Sequence, residues 1–206
     1  MSPGATMELV YAELKAKVMR GDFAPGERLE PAQLARIIGV SPTPVRDALY
    51  RLSGERLLEA WRHEGFRQPI LAEADLHDLY AWGASLLALA LEGQPPDPHI
   101  PQRSFSDSGA GDYPERVAAL FRSIAWTNSN RELRFATVSL IERCHVFRAA
   151  EARVDRRCDA AIIAMDDDFR FGRWSALRSK ITRFHRRRIL LAGRVVAELR
   201  PREESL

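Results

Sequence analysis

The sequence predicts a mainly α-helical chain in two parts: an N-terminal winged helix-turn-helix with a small β-hairpin wing over residues 1–70, and an all-α helical bundle over residues 71–206. Three observations carry this. Residues 31–52 hold two short amphipathic segments joined by a glycine turn. Residues 57–70 hold two strand-like runs around a polar turn with glycine. From residue 73 onward, the periodic segments repeat at helical spacing.

The first helix is marked by Val10, Leu14 and Val18 at i, i+4 and i+8, and stops near Gly21. Ala24-Pro25-Gly26-Glu27 is a turn signal. Pro31 to Ile38 reads as a two-turn helix with Leu34, Ala35 and Ile38 on one face, ended by Gly39. Ser41 is placed as an N-cap, and Pro42 stands at the first helical position, where a missing N–H costs nothing. Val45, Ala48, Leu49 and Leu52 then form one apolar face, while Thr43, Arg46 and Tyr50 project from the other. A short helix with a buried back and free polar residues at its N-terminal end is the recognition helix of a helix-turn-helix. Runs 57–61 and 66–70 around Arg62-His63-Glu64-Gly65 complete a hairpin, the wing.

From about Val10 to Ile70 these pieces resemble the GntR family of bacterial transcription regulators, above all in Gly39-Val40-Ser41-Pro42-Thr43-Pro44-Val45-Arg46-Asp47-Ala48-Leu49. The resemblance implies a sequence-specific, double-stranded DNA-binding regulator, with Arg36, Ser41, Thr43, Arg46 and Tyr50 facing DNA from the two helices and Arg62, His63 and Gly65 from the wing. One short helix reads too few base pairs to find a site in a genome, so a homodimer on a palindromic operator is expected. Two departures stand out. Many relatives carry Arg directly after the Ser, where this chain has Pro42, which leaves more of the readout to Arg46. Relatives usually have a Gly where this chain has Arg56, a role the sequence assigns to Gly54.

Composition narrows the classes. The 206 residues carry a formal charge of +3, too mild to speak for or against nucleic acid. Residues 1–70 have ten Lys/Arg against nine Asp/Glu, so any basic face there depends on placement. Residues 170–206, by contrast, have eleven against three. Two cysteines in no metal-like spacing and no long apolar run lead us to expect a bacterial cytoplasmic protein, neither secreted nor inserted in a membrane.

In the second part, helices are predicted over Glu73–Leu91, Tyr113–Trp126, Arg131 to about Ala152, Val154–Met165 and Trp174–Leu199, with a breaker-rich loop over Gly93–Pro114. The resemblance there is to the subfamily whose effector half is a helical bundle of the FCD type. That type carries Asp-x-x-Phe-His on one helix and two later histidines around a metal. Aligned on Phe121, this chain has Ala118 and Arg122 at the two ligand positions. Alanine has no ligating atom and an arginine stays protonated, so no metal and no cofactor is expected. The resemblance implies a small organic acid as effector, with Arg122, His145 and His185 as its contacts, the other reading of the two histidines being core or surface residues with ordinary partners. For Arg122 the alternatives are a guanidinium taking that acid in place of the metal or a surface residue paired with a neighbouring acid. Asp166-Asp167-Asp168 point in different directions on a helix and read as favouring the positive start of the final helix. Arg183, Arg186, Arg187 and Arg188 read as a solvated face, with a second phosphate contact as the other reading. Cys144 and His145 are adjacent and so do not face each other on a helix. No nucleophile, base and orienting group come together, so no enzyme is expected. The competing class is a non-catalytic partner-binding or scaffold protein that keeps the winged helix without reading DNA.

Overall fold

The structure is a computed structural model and describes residues 3–61, 65–92 and 111–199. The described residues fall into two compact units that meet in sequence at Leu71 and Ala72.

The first unit contains α1 (Pro3–Arg20), β1 (Arg28–Leu29), α2 (Pro31–Ile38), α3 (Pro42–Gly54), β2 (Glu59–Trp61) and β3 (Gly65–Arg67). Its core is made by the residues the helical spacing selects: Val10, Leu14 and Val18 of α1 pack with Leu34, Ala35, Val45, Ala48, Leu49 and Leu52. β2 and β3 pair as the expected hairpin, but the sheet has a third strand, β1, directly after the turn signal at Ala24–Glu27, where the sequence predicts no strand. The order is β1-β3-β2, all antiparallel, with Leu29 opposite Phe66. Two residues cannot show alternation, and β1 exists only because β3 offers it a ladder.

Gly39 takes φ of 80° and ends α2 with its N–H on the Ala35 carbonyl, which allows the sharp turn into α3. Gly54 does not replace the glycine that relatives carry. It is helical, and Arg56 itself takes the left-handed conformation at φ of 61°, at a cost of about 1 kcal/mol. A cluster anchors α1 to the far end of α3. Tyr11 and Lys15 donate to Glu55 at 2.6 and 2.9 Å, while Arg51 lies 3.6 Å over the Tyr11 ring. Burial alone would raise the Glu55 carboxyl, but those two donors outweigh it and hold the pKa below its ordinary value.

The second unit contains α4 (Glu73–Ala90), α5 (Tyr113–Trp126), α6 (Arg131–Val154), α7 (Cys158–Arg170) and α8 (Trp174–Leu199). Asp112 caps α5 by accepting the Glu115 N–H at 3.0 Å, and Asn130 caps α6 through the N–H groups of Glu132 and Leu133. The helix expected from Val154 starts four residues later. Asp155 is extended (φ −129°, ψ 96°) and breaks the chain between α6 and α7. Gly83 lets α4 approach α8 closely: a Cβ there would stand 3.0 Å from His185 Nε2 and 3.0 Å from Leu140.

The three aspartates lie in α7, directly ahead of α8. Asp168 is buried and takes Arg173 and Lys180, each at 2.7 Å, which ties the end of α7 to the start of α8. The cluster of four arginines also divides. Arg183 and Arg186 are exposed, Arg187 clasps Asp155 with two hydrogen bonds at 2.6 and 2.9 Å, and Arg188 is buried at 1% exposure. No described helix is long and apolar enough to cross a membrane.

Candidate nucleic-acid interface

The back of α3 is fixed: Val45, Ala48, Leu49 and Leu52 are fully buried. That phase of the helix turns Thr43, Arg46 and Tyr50 outward at i, i+3 and i+7, on one stripe. All three are exposed, as are Arg36 on α2 and Ser41 at the turn. No described residue pairs with Arg36 or Arg46, so both guanidiniums keep their donor forks open. Ser41 has the extended backbone of an N-cap (φ −72°, ψ 157°), yet its hydroxyl accepts no helix N–H. A capping hydroxyl takes the N–H of the second or third helical residue, and Pro44 at the third has none to give.

Tyr50 has a second job. Its ring meets Phe66 of β3 edge-on at 4.8 Å, so part of it holds the sheet against α3. Gly65 takes φ of 85° at the start of β3, and Arg67 lies 5.7 Å from the Trp61 ring. The wing residues Arg62 and His63 lie outside the described residues.

The three residues expected to contact an effector sit in separate surroundings. Arg122 is exposed on α5. His145 is half-buried on α6, and burial lowers its pKa against the raising influence of Asp112 and Glu115 at the start of α5. His185 is buried, stacked on Phe121 at 5.5 Å, with Nδ1 2.9 Å from the Ile181 carbonyl and Nε2 without a partner. Burial pushes its imidazole down to about 3, so it is neutral near pH 7. Among the described residues, no three His, Cys, Asp or Glu side chains are grouped to hold a metal ion.

The sequence reading missed the charged heart of the second unit. Glu151 accepts from Tyr80 and Tyr113 at 2.5 and 2.8 Å and from Arg148 at 2.8 and 3.0 Å, all four residues buried. Arg188 donates to Tyr113 at 2.9 Å, stands 3.4 Å from Glu151 and lies 3.7 Å over the Phe184 ring. Burial alone would raise the Glu151 carboxyl, but the two guanidiniums outweigh it and hold it below the ordinary carboxylate range. A signal was present in the spacing: Cys144, Arg148 and Glu151 share one helical stripe, as do Ile181, Arg188 and Val195.

The gntR family of bacterial regulatory proteins matches residues 6–67, which span the helices and sheet just described. An HTH-type transcriptional regulator of Bacillus subtilis (strain 168), YdhC, is 38% identical over 82 residues, 40% of this chain and 37% of that protein. The HTH-type transcriptional repressor GlaR of Escherichia coli (strain K12) is 32% identical over 79 residues, covering 38% and 36% of the two chains. The matches thus span little more than a third of either relative. In three dimensions the likeness runs further. The structure of a GntR transcriptional regulator from Rhodococcus sp. RHA1 superposes with a TM-score of 0.76 over 91% of this chain and 97% of its own, at 15% identity. E. coli McbR/YncC gives 0.63 over the same shares at 16% identity. At those identities the likeness speaks for the fold of both units. The N-terminal unit of this chain is a winged helix-turn-helix, and residues 6–67 of it match the gntR family of bacterial regulatory proteins.

Proposed function

We propose that the chain is a sequence-specific, DNA-binding transcriptional regulator that acts as a homodimer on a palindromic operator. The observation that supports it is the open Arg46–Thr43 stripe on a helix whose opposite face is immobilised in the core. An arginine one turn into such a helix can bridge O6 and N7 of a guanine, and Thr43 beside it can meet a phosphate or a thymine methyl. Arg36, Ser41 and Tyr50 are assigned further contacts to the DNA from the two helices, and Arg62, His63 and Gly65 from the wing. One short helix reads only a few base pairs, so a two-fold pair of them is needed to define a site in a genome. Sequences selected by the full chain from a random duplex pool should share an inverted repeat, and light scattering should give a dimer mass. A monomer bound one-to-one to an asymmetric site would overturn this reading.

We place small organic acid control at Arg122. The interior guanidiniums already hold Glu151 and Asp155, whereas Arg122 has no partner among the described residues and can take a carboxylate bidentately. Across a panel of organic acids, at least one should raise the melting temperature of wild type but not of Arg122→Ala, with or without a chelator. No shift with any acid, or one abolished by chelation, would remove this assignment.

A further inference from the structure

We propose that the outward face of α8 is a second docking surface for nucleic acid, gripping the phosphate backbone of DNA beyond the operator through Arg183, Arg186 and Arg194. The proposal rests on the DNA-binding reading of the first unit but concerns a different surface.

The helix carries six arginines and Lys180 against a single acid, Glu198, and the structure sorts these charges by what each one does. Arg188 is buried on Glu151 and Tyr113, Arg187 is committed to Asp155, Arg178 donates to the Leu91 carbonyl, and Lys180 holds Asp168. Even Glu198 is taken, by Arg153 at 2.7 Å. What remains is Arg183, Arg186 and Arg194, all exposed and without a hydrogen bond or ion pair to any described residue.

At 100° per residue these three positions lie within about a quarter turn of one another, so they form one stripe. From Arg183 to Arg194 the stripe runs about 16 Å at 1.5 Å per residue, the length of roughly five base-pair steps at about 3.4 Å each. Leu190, 78% exposed, is the large apolar side chain on it; α8 itself places no carboxylate there, and the Glu73 carboxylate of α4 lies at its edge, against Gly193.

Charge complementarity selects the occupant. A second copy docked on this face by a two-fold axis would set arginine stripe against arginine stripe, three exposed guanidiniums a side against the one edge carboxylate of Glu73. A polyanion has no such conflict, and guanidiniums pair with phosphates bidentately. DNA is also the polyanion brought close by the same chain: once the first unit is bound, the flanking duplex stands at a high effective concentration for anything tethered to it.

The test is the salt dependence of binding by the full chain, wild type against R183Q/R186Q/R194Q. Three duplexes serve: the selected operator trimmed to its repeat, the same operator with long flanks, and a long random sequence. Each phosphate neutralised contributes about 0.9 to the slope of log K against log salt. The slope should fall by about 2–3 in the variant on both long duplexes and stay unchanged on the trimmed one. Equal slopes on long DNA would overturn the proposal. So would loss of the dimer in the variant by light scattering, which would make this face a contact between copies, or slope loss on the trimmed duplex alone. Failure of the sequence-reading proposal would appear separately, as equal affinity of wild type for trimmed operator and trimmed random DNA. The long random duplex would still report on α8.

Discussion

Glu151→Ala is expected to destabilise the helical unit by about 3–5 kcal/mol, enough to unfold it or leave it marginal at room temperature. Glu151 is 2% exposed and is the acceptor on which Tyr80, Tyr113 and Arg148 converge, with Arg188 alongside. Removing its carboxylate leaves two guanidiniums and two hydroxyls without that acceptor among Phe121, Phe184 and the surrounding aliphatic core. Burying an unpaired charge costs far more than the pair gained when it formed. Glu151→Gln separates charge from hydrogen bonding. It can still accept from the tyrosines, so a loss nearly as large as with Ala would identify the guanidiniums as the groups left in distress. Pairing Glu151→Leu with Arg148→Met should recover part of the loss, because the charge and its counter-charge leave together. Chemical unfolding of the full chain, followed by helical circular dichroism, reads all three variants against wild type. A loss under about 1 kcal/mol for Glu151→Ala would show that the network contributes little.

The second large effect is on the pH dependence of stability. His185 titrates at about 3 in the folded chain against 6.5 in an exposed imidazole, because burial disfavours the cation. Above pH 6.5 both states hold the ring neutral and the folded chain has its full stability. Below 6.5 the unfolded chain takes up a proton that the folded chain refuses. Stability therefore falls at about 1.4 kcal/mol per pH unit as acid is added, toward a total of about 5 kcal/mol near pH 3. His145, whose pKa is lowered mainly by burial, adds to the loss with the same sign. Glu151, Asp155 and Asp168 also have lowered values, but their contributions are lost only as pH falls below the ordinary carboxylate range. The interval between pH 6.5 and about 4.5 thus belongs to the histidines. Unfolding free energies measured across it should fall with a slope of one to two protons, and His185→Leu should remove about one. A slope identical in wild type and His185→Leu would mean the ring is not held neutral by the fold.

The helix-turn-helix was legible because two signals agree there. Gly39 marks the only kind of turn that fits between Ile38 and Ser41, and the 45/48/49/52 stripe fixes which way Arg46 must face. The same periodicity gave α5 its ends at Tyr113 and Trp126 and the last helix its span from Trp174 to Leu199. β1 was not legible, since Arg28 and Leu29 become a strand only through β3. Nor was Arg56 as the left-handed residue: its side chain argues against that conformation, and only the geometry of the Leu57 turn imposes it. The buried charges were misread for a different reason. Arg188 lies in a run of three arginines, where residue type speaks for solvent. Its phase with Ile181, Ala192 and Val195 places it inside, and phase prevailed over type because Glu151 and Tyr113 were there to receive it.

Reading of sequence by α3 is tested most directly by one comparison of affinities. Wild type and Arg46→Ala are titrated, by fluorescence anisotropy at a fixed salt concentration, against the selected operator and a scrambled duplex of equal length. Arg46 has no role in the core, so the variant should melt with wild type. It should lose about 1–3 kcal/mol on the operator, most of it in discrimination at one base position, while its affinity for scrambled DNA changes little. Equal losses on both duplexes would make Arg46 a backbone contact. A wild type that binds operator and scrambled DNA alike would contradict sequence reading by this domain altogether.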